Sequence, residues 1–142
     1  MDLSYQEKSI LGSLLAMVVI YGYYFSNALR HIADPGFEGG TLARLIFTVV
    51  ALVVVEIVYH IVLAIQSRPE PKDERDLLIE GKAYRNAYFL LASGAALLIT
   101  WGIVVGRFTL TPFLAVNLLL LGMVGGELMK LFTQLFYYRR GF

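Results

Sequence analysis

Apolar residues run in long blocks along this chain, and the polar ones gather between them. No Asp, Glu, Lys or Arg occurs from Ser9 to Leu29, from Asn86 to Gly106 or from Phe108 to Gly126. From Leu45 to Ser67 the only one is Glu56. About 20 apolar residues in helix cross the hydrocarbon core of a bilayer. The pattern therefore predicts four crossing helices, over about 9–29, 42–66, 83–106 and 112–138. The expected fold is all-α, a polytopic membrane protein in one domain over 1–142, made of two helical hairpins. Asp34-Pro35-Gly36 and Gly39-Gly40 supply turn chemistry between the first two helices. Pro112 is placed as an early residue of the fourth helix. Ser67 to Gly81 is the long polar stretch, and Leu77, Leu78 and Ile79 make its second half amphipathic, so a short interfacial helix is expected there.

Composition agrees. Of 142 residues, 58% are hydrophobic and 16% charged, against roughly 25% charged in soluble domains. There is no cysteine, which excludes disulfides, thiol nucleophiles, thiolate zinc sites and cysteine-bound iron–sulfur clusters. A net charge of +1 gives no case for direct nucleic-acid binding. The first apolar block is longer than a leader's apolar core, and it ends in Tyr21, Tyr23, Tyr24 and Phe25 where a cleavage site needs small residues. Those four read as an interfacial aromatic belt.

Charge in the short loops sets orientation. Lys8, Arg68, Lys72, Arg75, Lys82, Arg85, Lys130, Arg139 and Arg140 fall on one side, and Arg30, Arg44 and Arg107 on the other. The lysine- and arginine-rich side faces the cytoplasm, so both termini and the 67–82 segment are expected there. The halves also look alike. Glu56 lies twelve residues before Arg68, as Glu127 does before Arg139. A repeat of this kind has its axis along the membrane normal.

Glu56 is the sharpest chemical feature. A charged side chain at a helix centre costs about 2.5–3.5 kcal/mol on insertion scales, so Glu56 must find a partner, water or a proton. His60 is four residues on and shares its face, and Tyr59 is adjacent. The pair is either an interhelical hydrogen bond that fixes packing or a proton- or cation-carrying site, and packing is the commoner use. Glu127, Lys130 and Gln134 form a second polar stripe, with Glu127 and Lys130 spaced to pair within the helix. Glu56 and Glu127 together with His60 would make a thin ligand set for a metal, and neither the Glu-x-x-His nor the His-Glu-x-x-His signature is present. His31 and His60 are the only histidines, so no cofactor is expected. Gly102 with Gly106, and Gly122 with Gly126, make two Gly-x-x-x-Gly grooves. Their use is packing within the bundle, with a homodimer seam as the alternative. Asn117 is expected to hydrogen-bond across a helix interface.

Asp73, Glu74, Arg75, Asp76 and Glu80 make the central segment dense in both signs. Such a run is a solvated, ion-paired surface or a docking surface. Lys82 and Arg85 belong at the lipid headgroups. No nucleotide loop or Ser/His/Asp order occurs, so the chain does not read as an enzyme.

Three stretches line up with a known pattern. They are Tyr5-Gln6-Glu7-Lys8-Ser9 followed by Tyr21-Gly22 and Tyr24-Phe25, then Asp73-Glu74-Arg75-Asp76 with Ile79, then Asn117-Leu118-Leu119, Glu127, Lys130 and Tyr138-Arg139-Arg140-Gly141. Together they resemble a family of small four-helix bacterial membrane proteins, related to a domain of unknown function also found in archaea. The resemblance implies a cytoplasmic-membrane location and, through small helix-turn-helix regulators encoded beside family members, a regulatory association. It marks Glu127, Lys130 and the central charged segment without giving them roles. Two functions follow as expectations. One is a regulatory or interaction protein whose 67–82 segment docks a cytoplasmic regulator. The other is a small dimeric transporter or ion-handling protein using Glu56, His60 and Glu127.

Overall fold

A computed structural model describes residues 3–31, 40–67, 69, 71–105 and 111–140. Within them the chain forms four α-helices and no strand: α1 (Tyr5–Arg30), α2 (Thr41–Gln66), α3 (Glu74–Val105) and α4 (Pro112–Arg140). The chain divides into two compact units, Met1–Pro71 and Lys72–Phe142. Each is a helical hairpin, with α1 packed on α2 in the first and α3 on α4 in the second. By length and composition α1, α2 and α4 are apolar enough to cross a membrane.

Local chemistry sets the helix starts. Ser4 caps α1, its Oγ accepting the Glu7 N–H at 3.2 Å while Glu7 Oε2 accepts the Ser4 N–H at 3.0 Å. This reciprocal pair satisfies two backbone donors that a helix start leaves free. Thr111 caps α4, its Oγ1 accepting the Leu114 N–H at 3.2 Å, and Pro112 follows as the first helical residue, where its missing N–H costs nothing.

The second unit departs from the sequence reading. The interfacial helix and the third crossing helix expected from Ala83 are one continuous helix that starts at Glu74. Asp73 and Asp76 form its cap: Asp73 Oδ1 accepts the Asp76 N–H at 2.7 Å, and Asp76 Oδ2 accepts the Asp73 N–H at 3.1 Å. From there Ile79, Ala83 and Ala87 recur every four residues and are all buried. One apolar stripe thus runs unbroken from the charged segment into the charge-free one, and nothing in it ends the helix. Its far end at Gly106, and Arg107 and Arg68, lie outside the described residues.

The hairpin seams are narrow. In α1 the buried positions are Ile10, Met17, Tyr21, Tyr24 and Ala28, and in α4 they include Phe113, Leu120, Val124 and Leu131. Both follow the three- and four-residue spacing of paired helices. This corrects the aromatic belt. Tyr21 and Tyr24 belong to the seam, and Tyr23, 74% exposed, faces outward. In α2 only Thr41, Thr48 and Leu63 are buried, while Val49, Val50, Val53, Val54, Ile57, Val58 and Ile61 are exposed. An apolar face of that size is what a lipid-facing helix presents.

Candidate functional site

Glu56 and His60 occupy successive turns of α2, which rises about 15 Å from Glu56 to its end at Gln66. Their side chains meet, Glu56 Oε2 lying 3.2 Å from His60 Nε2. The third member comes from α1. Ser13 Oγ donates to Glu56 Oε2 at 2.8 Å and sits 3.4 Å from His60 Nε2. One hydroxyl therefore touches both titratable groups. The Glu56 side chain is 23% exposed and that of His60 42%, so one edge of the cluster opens outward.

Below it, Tyr59 ties the helices together. Its hydroxyl donates to the Lys8 carbonyl at 2.6 Å, its ring lies edge-on to His60 with centroids 5.5 Å apart, and Lys8 Nζ reaches Ser67 Oγ at 3.4 Å. The ring needs Gly12. A Cβ at that position would overlap the Tyr59 ring atoms, so only glycine lets α1 approach here. Sequence reasoning missed both Ser13 and Gly12. A serine and a glycine inside an apolar helix carry no signal until the helix they face is known.

His31 lies eighteen residues after Ser13 on α1, about 27 Å of helix rise. Its Nδ1 is 3.0 Å from the Asn27 carbonyl. The two histidines therefore do not meet at one site. Among the described residues no three His, Asp or Glu side chains gather as metal ligands would.

In the second unit Glu127 pairs with Lys130 one turn along α4. The lysine is the more buried partner, its side chain 18% exposed against 51% for Glu127. Its ammonium also lies over the Tyr84 ring of α3, 5.2 Å from the centroid. Gly122 and Gly126 receive Leu91 of α3, whose Cδ1 would lie 3.0 Å from a Cβ at Gly126. Gly102 has nothing within 4 Å of that position, so it makes no close packing contact, and Gly106 lies outside the described residues. Asn117 Nδ2 donates to the Phe113 carbonyl of its own helix at 2.9 Å. Its Oδ1 is buried without a partner, where a bond across an interface was expected.

The central charged segment is the other candidate. Tyr138 near the end of α4 donates to Asp76 Oδ1 at 2.6 Å, so one carboxylate closes the α3 cap and anchors α4. Lys72 Nζ binds Glu80 Oε2 at 2.8 Å. That carboxylate, hydrogen-bonded to the ammonium, holds Lys72 above the ordinary lysine range. Lys82 lies over the Tyr137 ring at 5.0 Å. Asn86 Nδ2 donates to Thr133 Oγ1 at 3.4 Å. Glu74, Arg75, Leu77 and Leu78 remain exposed. Of the residues that carry the resemblance, Glu7, Asp73 and Asp76 close helix starts and Tyr138 ties α3 to α4.

Compared with known proteins, the chain matches no family model, no curated protein and no solved structure.

Proposed function

We propose that the protein is a small membrane protein of interaction type, crossing the bacterial or archaeal cytoplasmic membrane four times with both termini and residues 67–82 in the cytoplasm. The start of α3 holds a cytoplasmic protein partner, a regulator of the kind the family resemblance implies. One observation carries this reading. The start of α3 is a capped helix, pinned through Asp76 to Tyr138. Glu74, Arg75, Leu77 and Leu78 are thus exposed on an ordered surface, and binding there forgoes the cost of ordering a loop. Mixed charge beside exposed leucines suits a protein partner. The orientation rests on the Lys and Arg distribution. The crossing by α3 rests on its charge-free stretch from Asn86.

Photo-crosslinking in cells tests it. A crosslinking residue at Leu78 should yield one protein adduct of defined mass, lost when Glu74→Lys and Arg75→Glu are introduced together. An adduct indifferent to charge reversal, or the same adduct from Tyr23, refutes the reading.

The Ser13–Glu56–His60 contact favours a second reading, proton or cation handling by a dimer, with Glu56 and His60 exchanging a proton and Glu127 as a further carboxylate. Flux into proteoliposomes that survives Glu56→Gln with Glu127→Gln removes it.

A further inference from the structure

The end of the α3–α4 hairpin carries a recess of about 590 Å³. Its walls divide by chemistry. Phe132, Leu135 and Phe136 supply an apolar side, and Asn86, Thr133, Tyr137, Arg139 and Arg140 a polar one. We propose that this recess holds an anionic phospholipid, with the headgroup phosphate on Arg139 and Arg140 and the upper acyl chain along Phe132 and Phe136. The proposal rests on the membrane placement given above.

Depth supports it. Twenty residues of α4 from Phe113 end at Phe132, about 30 Å of rise and the thickness of the hydrocarbon core. On α3 the charge-free stretch begins at Asn86, and Asn86 is bonded to Thr133. Both helices thus place the hydrocarbon edge at the same level. From Phe132 to Arg140 is about 12 Å more, so the recess starts at the acyl chains and passes outward through the headgroups.

Charge supports it as well. Arg139 and Arg140 are exposed at the mouth. Arg140 lies over the Phe136 ring at 4.8 Å, and that contact leaves the in-plane N–H groups of the guanidinium for an oxyanion. Lys82 and Arg85 add positive charge at the start of the charge-free stretch. Of the acidic groups on the same hairpin, Asp73 accepts the Asp76 N–H, Asp76 accepts from the Asp73 N–H and Tyr138, Glu80 binds Lys72 and Glu127 binds Lys130, which leaves Glu74 exposed at the start of α3. Arginines beside an apolar wall select an amphiphilic anion over a zwitterion whose own ammonium they repel.

The full chain, purified in neutral detergent, is offered equal amounts of dioleoylphosphatidylglycerol and dioleoylphosphatidylcholine, and retained lipid is counted by native mass spectrometry. Wild type should prefer the glycerol lipid, and Arg139→Gln with Arg140→Gln should cut that preference about fivefold per arginine. Arg139→Lys with Arg140→Lys should keep most of it, which separates charge from misfolding. Arg30→Gln should leave it unchanged. Equal retention of the two lipids by wild type, or an undiminished preference in the glutamine variant, overturns the proposal. So does displacement of the glycerol lipid by millimolar inorganic phosphate, which would mark a site for free anions. Failure of the membrane placement shows separately, as a chain that stays in solution without detergent.

Discussion

Removing one oxygen should loosen the start of α3. Tyr138→Phe deletes the hydroxyl that donates to Asp76 Oδ1 at 2.6 Å. A short O–H···O contact to a carboxylate is of the charge-assisted kind, worth about 1.5–3 kcal/mol. Both side chains are only half buried, and Asp76 keeps the Asp73 N–H on its other oxygen, so about 1.5 kcal/mol is the appropriate end of the range. That figure corresponds to about tenfold in an opening equilibrium. Hydrogen–deuterium exchange on the detergent-solubilised chain reads it directly. Amides from Leu77 onward, the first to be bonded within the helix, should exchange about tenfold faster through Glu80, while those of α1 stay unchanged. Asp76→Ala removes the cap and the anchor together and should exceed this. Adding Tyr138→Phe to that variant should then change nothing. Unaltered exchange in Tyr138→Phe, or an equal further increment on top of Asp76→Ala, refutes the idea that this carboxylate joins the two helix ends. The partner adduct at Leu78 should weaken in step, because ordering that surface would then fall to the binding event.

Gly12→Ala should destabilise the first hairpin by about 1–3 kcal/mol, since the Tyr59 ring must move. Gly22→Ala, with open space around it, should be neutral or better, and equal melting of the two variants would contradict the packing. Asn117→Leu should cost nothing or stabilise by about 1 kcal/mol, because it removes a buried carbonyl that lacks a donor; unfolding in mixed micelles with a loss above about 1 kcal/mol would show that this oxygen has a partner. The Lys72–Glu80 pair sets a pH dependence of known sign. Lysine is held protonated more firmly in the folded chain, so the contribution is complete below the unfolded value of about 10.4 and fades as pH rises through the higher folded value. Both side chains are partly exposed, which limits it to a few tenths of a kcal/mol, about the size of other surface pairs. The stability gap between wild type and Lys72→Gln should be flat from pH 7 to about pH 10 and shrink beyond; a gap that grows with pH reverses the assignment.

What the sequence made legible was whatever depends on one segment alone. Long apolar blocks mark α1, α2 and α4, and Pro112 marks the start of α4. Glu127 and Lys130 pair one turn apart, as their spacing requires. The start of α3 was misplaced by nine residues, although the signal was present. Asp73 and Asp76 stand at capping-box spacing, and Ile79, Ala83 and Ala87 repeat every four positions. Proline and charge around them suggested a separate short helix ahead of the crossing one, whereas the apolar stripe runs through without a break. Ser13, Gly12 and Tyr138 were illegible for a different reason. Each gains its role from a residue forty or more positions away, and helical periodicity carries no information about which face meets which.

The two hairpins surround their ionisable side chains differently. In the second, Glu127 and Lys130 sit on one helix with opposite charges. The pair forms within α4, and the Lys130 ammonium also lies over the Tyr84 ring of α3. In the first, Glu56 has no cation of fixed charge beside it among the described residues. It has a hydroxyl from the facing helix and the His60 ring. Ser13 can serve either partner, donating to the carboxylate or accepting from the ring. The α1–α2 seam is therefore where the Glu56–His60 pair meets the facing helix, through contacts that Gly12 and Tyr59 hold in register. A design that only fastened helices would gain by exchanging Glu56 and His60 for leucines. If Glu56→Leu with His60→Leu raises the melting temperature of the hairpin while abolishing a cellular phenotype, the pair is kept for its proton rather than for packing.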